Sequence, residues 1–273
     1  MNHIIISKEN IRFFSELVPE DFYTDGDRIT IGTYDDYGNS HGVISYLYLG
    51  YECVLDWIYV KPTSRRRGIA TGLVKEMLSA IVHTGICPLD ARFEADRNNG
   101  LFEFFISLDE FETDYLFDRF YVKANDLLNS PSLAKEIQSN LTRYQFFEQS
   151  ARVQNTILMK LRELENGFEI EDPVTWEDSC VPEFCLFSGA EDDPEVVIFV
   201  QKRDDGNLEL SYLFSTNPKE MISVMTYLRR RILRVYPKSA LVFDAVNATS
   251  DGIARKLFPL TEPVNIYEAS FPA

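Results

Sequence analysis

The segment KPTSRRRGIATGL, residues 61–73, combines residue types that suit an anion-binding site. Arg65, Arg66 and Arg67 directly precede Gly68, and an apolar stretch with helical period follows. Guanidinium groups present forked donors that match phosphate oxygens, and a glycine lets the main chain approach a ligand closely. Because a helix N-terminus exposes N–H groups with partial positive charge, this order predicts a diphosphate site. The other interpretation is a solvated turn; the strand before and the helix after favour the site.

A carboxylate in the preceding run, residues 53–60, could supply a base. Asp56 lies among apolar residues, where burial favours the neutral acid and raises the pKa. Such a group could accept the proton of an amine nucleophile, although it could equally orient an arginine. Strict strand alternation would place Asp56 on one face with Glu52, Ile58 and Val60. Glu52 is therefore a second candidate base.

The elements that must position these residues follow from hydrophobic period. Residues 53–60 are β-branched and aromatic, which is typical of a central strand covered on both faces. Apolar residues after Gly68 recur with helical period and mark one buried face. The further predicted strands are 28–49 (two strands around a turn), 89–96, 115–122, 183–189, 195–203, 208–216, 240–247 and 264–271, and the further helices are 101–108, 155–167, 218–233 and 250–258.

The two halves of the chain repeat one order of elements. Gly68 and Pro218 each open a long helix, and Asn98 and Asn247 each follow the next strand. The connection from strand to helix is shorter in the second half, where the arginine-rich loop has no counterpart. We therefore expect two domains, residues 1–135 and 136–273. Each is expected to be a mixed, mostly antiparallel sheet flanked by helices, in the α/β (α+β) class.

Composition excludes several function classes. The 273 residues carry a formal net charge of −16, which argues against nucleic acid as the main partner. The acidity serves solubility or attracts a cationic substrate such as an amine. No apolar run is long enough to span a membrane, and no signal peptide is predicted.

The spacing of the cysteine and histidine residues does not indicate a metal site. The cysteines form no CxxC pair and have no close histidine, so buried thiols and a cytoplasmic location are expected. His3, His41 and His83 are scattered along the chain, so neither a Ser-His-Asp triad nor a metal cluster can be argued. The four cysteines are Cys53, Cys87, Cys180 and Cys185.

Residues 53–78 resemble the acyl-CoA-binding core of the GNAT superfamily of N-acyltransferases. The motif of that family, Arg or Gln, two residues, Gly, one residue, then Gly or Ala, is matched by residues 65–70. The resemblance implies acetyl-CoA or another acyl-CoA as co-substrate, without a metal, and transfer to a primary amine by direct attack. It implies these cofactor-binding residues: Ile58, Tyr59, Val60, Arg65, Arg66, Arg67, Gly68, Ile69, Ala70, Thr71, Asn98 and Phe105.

The resemblance also implies roles, with one departure. The Val60 N–H would stabilise the oxyanion. Asn98 matches the family's landmark after the next strand, but the seventh residue beyond it is Phe105, where the family often has a tyrosine that protonates the leaving thiolate. Tyr115, Tyr121 or a water could serve instead.

The second half resembles the degenerate unit of tandem GNAT proteins, so one coenzyme A site is expected, in the first half. The acceptor would be an amine, either a cationic small molecule or a peptide, with no nucleic acid or membrane involved. The alternative is an inactive acyl-CoA-binding sensor or interaction module.

Overall fold

The computed structural model describes residues 1–19, 22, 26–50, 52–84, 89–95, 100–134, 141–164 and 178–271. The chain divides into two compact units. The first comprises Met1–Leu116 with Asn265–Ala273, and the second comprises Phe117–Val264. Each unit is a mixed sheet with helices, as the fold-class prediction required.

The sheet of the first unit has the strand order β1-β2-β3-β4-β5-β12. All its pairings are antiparallel except that between β4 and β5. Its strands are β1 (Asn2–Ile5), β2 (Arg28–Tyr34), β3 (Ser40–Tyr48), β4 (Cys53–Val60), β5 (Leu89–Glu94) and β12 (Val264–Phe271), and its helices are α1 (Ile69–Thr84) and α2 (Leu101–Ile106).

The sheet of the second unit has the strand order β6-β11-β10-β9-β8-β7. Again one pairing, between β10 and β11, is parallel. Its strands are β6 (Glu112–Val122), which begins in the first unit, β7 (Arg143–Gln145), β8 (Leu186–Gly189), β9 (Pro194–Lys202), β10 (Leu208–Ser215) and β11 (Leu241–Ala245). Its helices are α3 (Ala124–Asn129), α4 (Pro131–Ala134), α5 (Ala151–Leu164), α6 (Pro218–Val235) and α7 (Ala248–Leu257).

Helix α1 is held against the sheet by its apolar face. Leu73 and Met77 are fully buried there. Gly42 of β3 permits the close approach, since a Cβ at that position would lie 3.0 Å from the Ile69 side chain and 3.1 Å from Leu73. The start of α1 is thereby fixed relative to β3 and β4. In the second unit, α6 covers one face of the sheet in the same way, with Val224 and Leu228 buried.

Strand β12 comes from the end of the chain but belongs to the first unit. It pairs antiparallel with β5 along all six residues of β5, from Leu89↔Phe271 to Glu94↔Ile266. In the second unit the corresponding neighbour of β11 is β6. The boundary at residue 135 stays a prediction from turn residues, while the contacts group residues 117–135 with the second unit and residues 265–273 with the first.

Most predicted elements are confirmed, including β4 at residues 53–60 and the long helices α1 and α6. The short strands β1 and β7 were not predicted. Cys53, Cys180 and Cys185 are buried free thiols, as expected, whereas Cys87 lies outside the described residues. Among the residues described, no helix is long and apolar enough to cross a membrane.

Candidate functional site

Strands β4 and β5 diverge and open a gap in the first sheet. They pair only at Cys53↔Leu89 and Val54↔Asp90. From Leu55 onward, β4 has no described partner on that side, although its pairing with β3 continues to Val60. A strand edge with unpaired N–H and C=O groups can hydrogen-bond an extended ligand.

Main-chain groups of two residues of β4 point into this gap. The Lys61 N–H donates to the His41 carbonyl at 2.9 Å, which directs residue 61 towards β3. Since successive residues of a strand face opposite edges, Tyr59 also faces β3, while Ile58 and Val60 face the gap. The Val60 carbonyl accepts from Arg65 Nε at 3.1 Å. The Val60 N–H, which the resemblance implies as the oxyanion donor, is thus directed into the gap.

Asp56 is the extra residue of a β-bulge. The register pairs Ser45 with Trp57 but Tyr46 with Leu55, so Asp56 has no opposite residue. A bulge shifts the side-chain alternation by one position. Leu55 accordingly shares the α1 core with Ile58 and Val60, whereas Trp57 packs in the cluster around Phe14 and Val43. The strict alternation that predicted one face for Glu52, Asp56, Ile58 and Val60 therefore fails at the bulge, since Leu55 lies on the α1 face and Trp57 on the other.

The carboxylate of Asp56 is paired with Arg28. Asp56 Oδ2 lies 3.0 Å from Arg28 Nη2, and the two side chains are 24% and 12% exposed. Burial raises the pKa of Asp56 above its ordinary value, while the charge of Arg28 opposes that rise. Glu52 precedes β4 at the opposite end from the loop, roughly 26 Å from Val60 at about 3.3 Å per residue.

The arginine-rich loop is held in an unusual conformation. Arg66 has φ 60° and Gly68 has φ 75°, both left-handed. A left-handed arginine is uncommon and often marks a functional segment. A Cβ at Gly68 would meet no atom within 4 Å, so the space beside this residue is open. The side chains of Arg66 and Arg67 are exposed and have no polar partner among the described residues.

Helix α1 begins directly behind this open glycine. The Gly72 N–H donates to the Gly68 carbonyl at 2.9 Å. The N–H groups of Ile69, Ala70 and Thr71 precede that bond and have no acceptor within the helix. Together with two exposed guanidinium groups, they fit a diphosphate placed at the helix N-terminus.

The second unit repeats the gap but not the loop. Strands β10 and β11 pair only at Leu208↔Leu241 and Glu209↔Val242. However, only residues 216 and 217 separate β10 from α6, against residues 61–68 in the first unit.

The N-terminus of α6 is already capped by protein side chains. Asn217 caps it by accepting from the main-chain N–H groups of Lys219 and Glu220, at 3.1 and 3.2 Å. The carboxylate of Glu195 accepts from Asn217 at 2.6 Å. The carboxylates of Glu195 and Glu220 lie near this end of α6 and would repel a diphosphate.

Two residues implied by the resemblance are not part of the described site. Asn98 is outside the described residues. Phe105 is 1% exposed and stacks against Phe93 at 5.0 Å between ring centroids, with Phe111 at 5.5 Å. At this burial the ring has no surface to offer a ligand, and we leave it out of the proposed site.

One group of hydrogen-bonded residues near the loop was not predicted from the sequence. His41 joins Ser64, through Nδ1 at 2.8 Å, to Asp35, through Nε2 at 3.1 Å. The three were scattered in sequence, and only the pairing of β2 with β3 and the return of residues 61–64 bring them together. No three His, Cys, Asp or Glu side chains gather as a possible metal site in the part of the chain that the structure describes.

Comparison with solved structures shows the fold. A tandem GNAT protein from the clavulanic acid biosynthesis pathway, in a structure without AcCoA, matches with a TM-score of 0.61 at 11% identity, covering 96% of this chain and 86% of that one. A GCN5-related N-acetyltransferase from Sphaerobacter thermophilus matches with a TM-score of 0.57 at 14% identity, covering 97% and 86%. The chain therefore has the GNAT fold in a tandem arrangement.

A third likeness is to the glucosamine N-acetyltransferase region of a fungal multi-domain GH3 β-N-acetylglucosaminidase. Its TM-score is 0.56 at 10% identity, covering 98% of this chain and 38% of that one. No family model matches the sequence. No curated protein matches it either.

Proposed function

We propose that the protein is an N-acyltransferase that moves an acetyl or other acyl group from acyl-CoA to a primary amine. The observation that carries the proposal is the conjunction of three features at one end of β4. These are the gap beside β4, the left-handed turn at Arg66 and Gly68, and the start of α1. No other strand end in the described residues combines them.

The diphosphate of the acyl-CoA would bind at the loop. The N–H groups of Ile69, Ala70 and Thr71 supply donors at the positive end of α1. Arg66 and Arg67 add charge from exposed positions, whereas Arg65 is engaged with the Val60 carbonyl and therefore orders the loop. In the second unit only residues 216 and 217 connect β10 to α6, and Asn217 caps that helix, which supports one coenzyme A site per chain.

The acyl carbon would lie beside β4. An amine nitrogen attacks the thioester carbonyl, the negative charge on oxygen is stabilised by the Val60 N–H, and the C–S bond then breaks to release the thiolate of coenzyme A. The attacking amine must lose a proton. Asp56, the extra residue of the bulge in β4, is the candidate base, because burial raises its pKa.

Two observations favour the inactive acyl-CoA-binding protein as a second candidate. The carboxylate of Asp56 is already paired with Arg28 at 3.0 Å, which reduces its basicity. Phe105, at the position of the family's tyrosine, is a core residue without a hydroxyl group. Such a protein would keep the loop and bind acyl-CoA without turnover.

The experiment that separates these candidates is thiol release from acetyl-CoA with a panel of primary amines, including a polyamine, an amino sugar and a peptide with a free N-terminus. Turnover with any of them supports the enzyme. Binding without turnover supports the sensor. Thermal stabilisation by acetyl-CoA but not by ATP is expected in both cases, and would amount to about 2.7 kcal/mol at a hundred times the Kd. Equal stabilisation by ATP would contradict both.

A further inference from the structure

A chain of hydrogen bonds links the turn between β2 and β3 to the residue that precedes the arginine-rich loop. Asp35 lies just after β2, His41 is the second residue of β3, and Ser64 directly precedes Arg65. Asp35 Oδ2 lies 3.1 Å from His41 Nε2, and Ser64 Oγ lies 2.8 Å from His41 Nδ1. The His41 side chain is 14% exposed and Ser64 is 3% exposed, so solvent competes little for the bond between them, whereas the Asp35 side chain is 25% exposed.

The carboxylate end of the chain is fixed in position and charge. Asp35 accepts from the main-chain N–H groups of Tyr37 and Asn39, each at 2.9 Å, and from the side-chain amide of Asn39 at 3.0 Å. These donors, the Asn39 amide foremost, hold the pKa of Asp35 well below its usual range. An ionised carboxylate only accepts, so His41 Nε2 donates to it.

The direction of the remaining bond follows from that assignment. In the neutral imidazole, Nδ1 is then the acceptor, and the Ser64 hydroxyl donates to it. The order of residue types is that of a hydrolytic triad, but Ser64 is buried and its hydroxyl proton is committed to the ring. Ser64 Oγ is too deeply buried for a substrate carbonyl to reach it. This chain of hydrogen bonds therefore does not serve nucleophilic attack.

The hydrogen bonds of Asp35, His41 and Ser64 instead hold the start of the arginine-rich loop. Ser64 also donates its N–H to the Lys61 carbonyl at 2.8 Å, so both its side chain and its main chain are tied down. The left-handed Arg66 follows two residues later, and that conformation persists only where its surroundings impose it. An anchor at Ser64 limits the directions in which the loop can leave β4.

We propose that Asp35, His41 and Ser64 are positioning residues that hold residues 65–68 in the conformation that binds the diphosphate of acyl-CoA. The ligand part of this inference rests on the proposed function, while the anchoring part does not. A preformed loop lowers the ordering cost of binding. Losing the anchor should therefore loosen the loop first and weaken the affinity as a consequence.

Limited trypsin digestion tests the anchor without any ligand. Arg65, Arg66 and Arg67 are exposed cleavage sites inside the loop. We expect cleavage at these bonds, followed by mass spectrometry, to be at least five times faster in His41→Ala and Ser64→Ala than in the native protein. The control is Tyr37→Ala, which removes a side chain that is 92% exposed from the same turn and should cleave at the native rate. Urea unfolding of each variant corrects for global stability.

The double variant decides whether the residues act as one unit. If they do, His41→Ala with Ser64→Ala is cleaved no faster than the faster single variant. Cleavage within twofold of native in both single variants, or effects that multiply in the double variant, would overturn the proposal.

Titration with coenzyme A then tests the ligand part. We expect the ligand to slow cleavage of the native protein, and its Kd to rise about tenfold in His41→Ala. If coenzyme A leaves native cleavage unchanged, the diphosphate site and the proposed function fail, whereas the anchor is judged by the ligand-free rates. If it protects the native protein and the Kd in His41→Ala is unchanged, the anchor has no part in binding and this inference fails alone.

Discussion

The substitution Gly68→Asp gives the most direct test of the loop as a diphosphate site. Gly68 has φ 75° and no atom lies within 4 Å of a built Cβ, so the Cβ of the new residue meets no steric obstacle and the backbone conformation sets the cost. A non-glycine residue in the left-handed region costs about 1–2 kcal/mol. The free energy of unfolding should fall by about that amount and the protein should remain folded.

The effect on binding should be larger. Two unit charges 4 Å apart repel by about 1 kcal/mol in water and about 4 kcal/mol at an effective dielectric constant of 20. The loop is exposed on one side and backed by α1 on the other, so a value near 3 kcal/mol is reasonable. Because every 1.4 kcal/mol is a factor of ten, the Kd for coenzyme A should rise roughly a hundredfold.

The assay is isothermal titration calorimetry with coenzyme A, beside urea unfolding of the same sample. Gly206→Asp is the matched control. Gly206 has φ 79°, is equally open and lies in the hairpin between β9 and β10. It should lose similar stability and keep the native Kd. A folded Gly68→Asp protein that binds within threefold of native affinity would refute the site assignment.

Three further predictions concern the chemistry and the core. Asp56→Asn should lower kcat about 10²- to 10⁴-fold, the usual contribution of a general base, with the Kd for acyl-CoA unchanged; Asp204→Asn, at an exposed position of the second unit, should match native kinetics. Native turnover should fall as pH is lowered through the raised pKa of Asp56, since the base acts when deprotonated, and Asp56→Asn should lack that limb of the pH–rate profile. Phe105→Ala should cost about 3–5 kcal/mol of unfolding free energy, as expected for a fully buried ring, while the Kd for coenzyme A of the folded variant stays within twofold of native; a large change in affinity with native stability would return Phe105 to the ligand site.

The local order of elements around the site could be predicted from the sequence. Residues 53–60 are apolar on both faces apart from Asp56, and the apolar period after Gly68 marks a helix, so strand, loop and helix follow from neighbouring residues alone. The repeat of this order after residue 150, with a shorter connection before α6, also follows from the sequence. These features depend on interactions within a few residues, where hydrophobic period and turn residues carry the information.

The pairing of strands decided which residues share a face and which strands are neighbours. Asp56 was assigned to a face by strict alternation, but a bulge depends on how β4 meets β3 and has no signal in one strand alone. The C-terminal strand β12 joins β5 although about 170 residues separate them in sequence, because a sheet edge accepts any strand with a suitable pattern.

His41 shows the same division between sequence and tertiary structure. The sequence supplied an aspartate, a histidine and a serine at unrelated positions, and the turn after β2 together with the return of the chain after β4 placed them within hydrogen-bonding distance. The sequence thus determined which local elements form, and it predicts where an anion would bind. The tertiary structure determined which side chains meet there, because contacts between distant residues depend on register and packing, which no local pattern specifies.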